Sequence, residues 1–384
     1  MDNRRLIERL LRLTSIKCLS GQEAAVADAI QSELAAAGIA VRRLGDNVVC
    51  EIGDAPRPRL LVNSHLDTVP PAAGWTSDPW TPRWENRRIT ALGANDAKAS
   101  VCAMIEAVLA LRESQSRGIA CEGTVILALT TEEETTGRGL RETLPALLPI
   151  DAALVGEPTD LIPMIAQRGL LILRCTARGR TSHPANTPAN TGDNAIINAL
   201  QAVAQLRSFD WGPPHAMLGA CHAHVTKIAG GVATNVIPDA CEFWVDVRTT
   251  PEQPHQEIVE QLRSHLACEV QVHSDRMAPV HTEPGAAIVR AIRLVFPERE
   301  PRGSATMSDM VTLQGIPSVK IGPGLSARSH TPDEYITIDE LMAGAVAYER
   351  ICRAYFQECA AEEGRHGSGA DHGRATMGQG PPAR

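Results

Sequence analysis

The sequence predicts an α/β protein: a mainly parallel sheet flanked by helices, interrupted by a smaller inserted α+β domain. Three observations predict it. Short apolar strands alternate with helical stretches up to about residue 157, the pattern of a parallel sheet covered on both faces. From Arg168 the order changes to β-α-β-β-α-β, that of a ferredoxin-like unit. At 384 residues the chain also exceeds the size at which a single core usually stops growing. The boundaries implied are 1–167 and 281–360 for the larger domain and 168–280 for the insertion. The tail, 361–384, is rich in Gly, His, Arg, Ala and Pro with little apolar content, and is expected to be disordered.

Each element follows from its local pattern. Helical periodicity covers 3–14 and 21–38, the second stopping at Gly38 as a C-cap would. Strands are expected at 48–52 and 59–63. A loop rich in Pro and Trp fills 70–90, suited to the rim of a cleft. Gly93 to Ser100 leads into an apolar helix at 99–112, followed by a buried strand at 124–130. A helix at 140–148 and a short strand at 152–156 complete the first part. The insertion reads as strand 169–177, helix 193–207, strands 222–229 and 240–248, helix 254–266 and strand 268–273. The larger domain resumes with helix 284–295, strand 318–321 and helix 338–357. No internal repeat is present.

Bulk properties narrow the function. Apolar residues make up 43% and charged residues 21%, ordinary for a globular chain. A net charge of −8 gives no whole-chain reason to expect nucleic acid or an anionic membrane as partner. No apolar run reaches membrane-spanning length, and Met-Asp-Asn-Arg-Arg opens a helix rather than a signal peptide. Ten cysteines without a C-x-x-C pair suit reduced thiols, and a cytoplasmic protein is expected. Cys18, Cys102 and Cys241 read as small core residues. In Cys221-His222-Ala223-His224, strand alternation puts the two imidazoles on one face and the thiol on the other, so the run is read as structural.

Chemistry-bearing residues gather at element ends. The run Leu60 to Val69 is a buried strand whose end carries His65, with Asp67 two residues on and on the same face. Asp67 can therefore fix the imidazole tautomer, as a carboxylate behind a metal-bound histidine does. Asp96, Glu133, Glu134, Glu157 and His330 follow at later element ends. Each has a bland reading: Asp96 a helix N-cap, Glu132 to Glu134 a solvated acidic loop, Glu157-Pro158 a turn, His330-Thr331-Pro332 a surface loop. Together they would sit beyond the carboxyl ends of one sheet's strands, where such folds bind ligands. His and carboxylate donors without thiolate suit catalytic zinc. A pair of ions needs a bridging carboxylate and about this many donors. Counting leaves Asp96 as the bridge and Glu133, beside a ligand, as a general base. The reaction implied is hydrolysis of an amide bond. A Gly-x-Ser-x-Gly elbow, a His-Glu-x-x-His helix and a phosphate-binding Gly-x-x-x-x-Gly-Lys loop are all missing from the sequence.

His65-Leu66-Asp67, Gly93 to Lys98, Thr131 to Glu134, Gly156-Glu157-Pro158-Thr159 and His330 to Glu334 resemble, in order, the signature blocks of the M20 metallopeptidase family. The resemblance spans about residues 5 to 357. It implies a zinc-exopeptidase-like catalytic domain holding two Zn2+ per subunit, with Co2+ able to substitute. His65 and Glu157 would complete one ion, Glu134 and His330 the other, with an unusual cis peptide at Asp96-Ala97. It also implies a lid domain that forms a homodimer. Ser182-His183-Pro184 resembles the block whose histidine donates to the oxyanion from the partner subunit; an exposed loop histidine is the alternative. The blocks Gly230 to Pro238, containing Asn235, and Asp246-Val247-Arg248 resemble those that hold a substrate carboxylate, for which a planar guanidinium is suited. Arg248 also fits a surface strand residue. Ser308 is expected to line the substrate pocket.

Asp96-Ala97-Lys98-Ala99 departs from the commoner Asp-Met-Lys-Gly. The Gly-Glu-Pro-Thr run and the His-Thr-Pro-Asp-Glu-Tyr run lean toward small N-acyl amino acid deacetylases of arginine and lysine synthesis. N-acetyl-L-ornithine is placed first as substrate. Succinyl-diaminopimelate, acetyl-lysine, acetylcitrulline and dipeptides are the alternatives within the class. A non-catalytic dimeric scaffold is the alternative outside it.

Overall fold

A computed structural model describes residues 3–119, 122–188 and 193–368. In chain order the elements are α1 (Asn3–Thr14), α2 (Ala24–Ala36), β1 (Val41–Leu44), β2 (Asn47–Ile52), β3 (Arg59–His65), β4 (Arg83–Glu85), β5 (Arg88–Thr90), α3 (Lys98–Ser116) and β6 (Thr124–Thr130). Next come α4 (Arg138–Thr143), β7 (Ala152–Val155), β8 (Met164–Gln167), β9 (Gly169–Arg178), α5 (Ala195–Arg207), β10 (His222–Gly230) and β11 (Ala240–Thr249). The remainder is α6 (His255–His265), β12 (Glu269–Met277), β13 (Val280–His281), α7 (Ala287–Val295), β14 (Arg302–Ser304), β15 (Ser318–Lys320), β16 (Tyr335–Thr337) and α8 (Ile338–Ser368).

The chain divides into two compact units. One comprises Met1–Leu161, Pro284–Glu300 and Ile321–Arg384; the other, Ile162–Glu283 and Pro301–Lys320. The division falls differently from the expected boundaries at 167/168 and 280/281. Residues 162–167 and 301–320 go with the second unit because β8 pairs with β13, β14 and β15 within it.

In the first unit the strand order is β1-β2-β6-β3-β7. β3 runs parallel to both β6 and β7, so the centre of this sheet is parallel as expected. β2 joins β6 antiparallel and β1 closes the edge as a hairpin. All seven residues of β6 are buried, the continuous apolar run of a strand covered on both faces. Each such Val, Leu or Ile contributes roughly 1.5–3 kcal/mol by burial. Helix α3 packs on α1 and α8, and an ion cluster ties it to α1. Glu106 of α3 receives Arg9 at 3.0 Å and Arg5, while Arg9 also reaches Glu33 of α2 at 2.6 Å. The Pro-rich 70–90 loop carries the β4–β5 hairpin, which extends to β16 in a separate three-stranded sheet.

Two helices depart from expectation for identifiable reasons. The stretch 140–148 forms only α4 and a 3₁₀ turn at Leu144–Ala146, since Pro145 and Pro149 supply no N–H. Helix α8 continues past 357 to Ser368, into the stretch expected to be disordered. Arg290 of α7 explains this, binding Glu358 at 2.7 Å and Glu362 on the added turns. The rest of that tail, 369–384, lies outside the described residues.

The second unit contains the expected β-α-β-β-α-β order as β9-α5-β10-β11-α6-β12, its sheet ordered β10-β11-β9-β12 and antiparallel throughout. Along β11 burial alternates at every residue: Cys241, Phe243, Val245 and Val247 face the α5 and α6 core, while Glu242, Trp244, Asp246 and Arg248 face away. Asn194 caps α5 by accepting from the Ile196 N–H at 3.0 Å.

Candidate metal centre

Three parallel strands deliver the first unit's acidic and imidazole side chains to one edge. His65 is the last residue of β3; Glu133 and Glu134 follow the end of β6, and Glu157 follows β7. The carboxyl ends of these strands lie level because His65 stands opposite Thr130 and Asn63 opposite Val155. Asp96 closes the loop before α3 and is joined to Ala97 by a cis peptide. His330 comes from a loop near the chain's end.

These six side chains converge. His65 Nε2 lies 3.2 Å from Asp96 Oδ1 and 3.9 Å from Glu157 Oε1. His330 Nε2 lies 2.8 Å from Glu134 Oε1 and 3.9 Å from Asp96 Oδ2. Ligand atoms of His65, Asp96 and Glu134 all fall within 4.8 Å of one another, as do those of His65, Glu133 and Glu157. Asp96 thus has one oxygen toward each histidine. The imidazole of His65 is oriented from behind: its Nδ1 lies 3.1 Å from the main-chain oxygen of Asp67 and 3.4 Å from its Oδ1. The carbonyl is therefore the nearer partner, and the carboxylate expected in that role is the farther one. That carboxylate instead accepts from Ser20 Oγ at 2.7 Å and from the backbone N–H of Glu133 and Glu134 at 3.2 Å each. Asp67 consequently fixes both the imidazole and the start of the acidic turn. The third acid of the run, Glu132, is structural: its N–H donates to Glu23 Oε1 at 2.9 Å and its carboxylate pairs with Arg138.

Electrostatics follow from crowding charge in a buried edge. Burial pushes the Asp67 carboxyl up, but the hydrogen bond and charge of His65, with Ser20, bring it down to about 2. For Asp96, too, burial is outweighed by His65, Ser329 and His330, leaving it below the usual range. Burial works against protonated His65, yet Asp67, Asp96, Glu157 and Glu133 raise it well above the ordinary value. Glu134 raises His330 to about 9. Four carboxylates against two imidazoles leave an excess of negative charge, which a divalent cation complements. The donor set, nitrogen and oxygen without sulfur, fits such ions.

Four expected site residues belong to the second unit. His183 is exposed and its Nδ1 accepts from the Ala185 N–H at 3.2 Å. Its loop and that of Asn235 are brought together by a bridge in which the Ile237 N–H donates to the Ser182 carbonyl at 2.8 Å. Arg248 is clamped by Asp246, Nε at 2.8 Å and Nη2 at 3.2 Å from its two oxygens. Ser308 is buried and donates to Gln167 Oε1 at 2.6 Å. His222 and His224 share an exposed face while Cys221 is buried, and Cys18, Cys102 and Cys241 are buried as well.

One residue went unassigned by the sequence reading although it lies in a quoted run. Glu334 is buried and accepts three backbone N–H groups, from Gly93 at 3.1 Å, Asn95 at 2.8 Å and Asp96 at 2.9 Å. Burial and the nearby Asp96 charge push its carboxyl up to about 7 against these hydrogen bonds. The available signal was its place four residues beyond His330.

A parallel-centred α/β unit with a His/carboxylate cluster at its strand ends defines a metal-dependent hydrolase of amide bonds. The chain belongs to the peptidase family M20/M25/M40, whose profile matches residues 61–354. It is 29% identical over 348 residues to an acetylornithine deacetylase of Myxococcus xanthus, covering 82% of this chain and 88% of that protein. It is 26% identical over 382 residues to a succinyl-diaminopimelate desuccinylase of Nitrosococcus oceani, covering 92% and 99%. Among solved structures it resembles the Bacillus subtilis YXEP protein, a dinuclear metal binding peptidase from the M20 family. That likeness has a TM-score of 0.73 at 16% identity over 93% of this chain and 99% of that one, and it shows the fold.

Proposed function

We propose that His65, Asp96, Glu134, Glu157 and His330 hold two divalent cations, zinc with cobalt as a substitute. The protein then hydrolyses the amide bond of a small N-acyl-L-amino acid, N-acetyl-L-ornithine first. The observation that supports this above all is Asp96, with one oxygen toward His65 and the other toward His330. The naming of similar proteins as an acetylornithine deacetylase and a dinuclear metal binding peptidase supports it independently.

When bound, such cations polarise the acyl oxygen and lower the pKa of an attacking water. The chain's own residues do the rest. Glu133 takes the proton from the water and hands it to the departing nitrogen. Asp67 holds the His65 ring so that Nε2 faces Asp96 and Glu157. Arg248 binds the substrate carboxylate, exchanging Asp246 for it, and Asn235 assists. Ser308 lines the pocket. His183 stabilises the oxyanion from a partner copy in a cytoplasmic homodimer.

Desuccinylation is the second reading, favoured by the fuller coverage of the desuccinylase relative. Turnover of a panel of N-acetyl and N-succinyl amino acids by zinc-loaded and metal-stripped protein tests both. N-acetyl-L-ornithine should lead the panel and stripping should abolish turnover. Preference for succinyl substrates selects the second reading, and metal-independent turnover refutes both.

A further inference from the structure

We propose that Glu334 is the positioning residue for Asp96, and that through it the loop bearing Asp96 and the loop bearing His330 are set as one piece. This rests on reading those two residues as metal ligands. Glu334 is 2% exposed, and its carboxylate is spent on backbone rather than on any ligand side chain. One oxygen, Oε1, takes the N–H groups of Asn95 and Asp96; the other, Oε2, takes that of Gly93. A carboxylate can do this because both oxygens accept and neither donates. The Asp96 N–H bond is the decisive one. It fixes the backbone from which the bridging carboxylate projects, and it anchors that backbone to a segment four residues from His330.

A second brace crosses between the same loops and serves as an internal control. The amide of Asn95 accepts from the Leu325 N–H at 3.0 Å and donates to the Leu325 carbonyl at 3.1 Å. Gly324, at φ +87°, permits this: a Cβ there would fall 2.2 Å from Asn95 Oδ1. The Asn95 brace leaves the Asp96 N–H alone and reaches the Asp96 side chain only indirectly, its amide donating to Ser329 Oγ at 3.4 Å and Ser329 in turn to the Asp96 carboxylate. Loop cohesion can therefore be separated from the anchoring of the Asp96 backbone.

The test is Co2+ binding to metal-stripped protein, by calorimetry and by the visible spectrum of the bound ion, with thermal unfolding of each metal-free variant alongside. Glu334→Ala should weaken Co2+ binding about 10–100-fold, the usual cost of losing a group that orients a ligand, and should change the spectrum at saturation. Glu334→Gln keeps an acceptor for Asn95 and Asp96 but turns an NH2 toward the Gly93 N–H, so it should fall between wild type and Glu334→Ala. It also carries the test should the alanine variant not fold. Asn95→Ala should lower the unfolding temperature and, acting on Asp96 only through Ser329, should weaken Co2+ binding by less than about 10-fold, below the range set by lost ligand orientation. Wild-type affinity and spectrum in both Glu334 variants would overturn the inference alone, as would equal losses in Glu334→Ala and Asn95→Ala. A wild-type protein that binds no Co2+ would instead overturn the metal reading of the centre, and this inference with it.

Discussion

His330 Nε2 and Glu134 Oε1 lie 2.8 Å apart although 196 residues separate them in the chain. His330 reaches this position with φ at +60°, a left-handed conformation that histidine adopts at a cost of about 1–3 kcal/mol. Only interactions made in the folded state offset that strain, and a cation between these groups would add to them. Chelation should therefore lower the unfolding temperature. Readdition of Zn2+ at about 100 times its dissociation constant should restore roughly 2.7 kcal/mol. Calorimetry with and without chelator checks this.

Glu133→Gln should preserve fold and metal content and lower kcat by about 10²–10⁴, the usual contribution of a positioned acid–base group. KM should move less than twofold. Undiminished hydrolysis by the variant would remove Glu133 from the reaction.

Asp67→Asn keeps the main-chain oxygen that faces His65 Nδ1 but loses an acceptor for the Glu133 and Glu134 N–H groups. Metal affinity should fall about 10–100-fold, read by titration of the stripped variant.

Away from the centre, Glu106 tests acid stability. Burial raises its carboxyl, but Arg5 and Arg9 more than compensate, leaving it below the ordinary glutamate value. A lowered folded-state pKa contributes stability that is complete above the unfolded value near 4.3 and is lost as pH falls through the folded one. Glu106→Gln takes one of two carboxylates from the buried Arg9, which keeps Glu33 at 2.6 Å, and should cost about 1.5–3 kcal/mol at pH 7, the worth of a hydrogen bond to a charged group. The difference from wild type should shrink below pH 4, as denaturant titrations across pH would read.

Gly93→Ala probes the loop that presents Asp96. Its φ is +77°, and an added Cβ would lie 2.6 Å from Thr68 Cγ2 and 2.8 Å from Lys98 Nζ. Left-handed backbone alone costs a non-glycine residue roughly 1–2 kcal/mol, so a larger loss is expected in chemical denaturation.

The convergence of His65, Glu133, Glu134 and Glu157 was legible because those residues sit at strand ends, whereas Asp96 and His330 come from loops. The apolar runs before His65, Glu133 and Glu157 mark buried strands, and their terminal polar residues stand out against them. The allegiance of 162–167 and 301–320 was not legible, since it depends on β8 pairing with short strands far along the chain. Two-to-four-residue strands carry too few residues to show period two. The Asp246–Arg248 clamp was readable in principle, because side chains two apart on a strand share a face. Glu334 was marked only by its place four residues beyond His330; its partners are backbone N–H groups, which no side-chain pattern advertises.

The first unit draws on three separate stretches of the polypeptide, and its last stretch brings His330 and Glu334. During synthesis, Asp96 emerges from the ribosome 238 residues ahead of the glutamate that accepts its N–H. At about 5–20 residues per second that gap is roughly 10–50 s. Throughout it, the nascent chain carries an acidic turn and an α3 face that α8 has not yet covered. That α3 face therefore stays open to solvent until α8 leaves the tunnel.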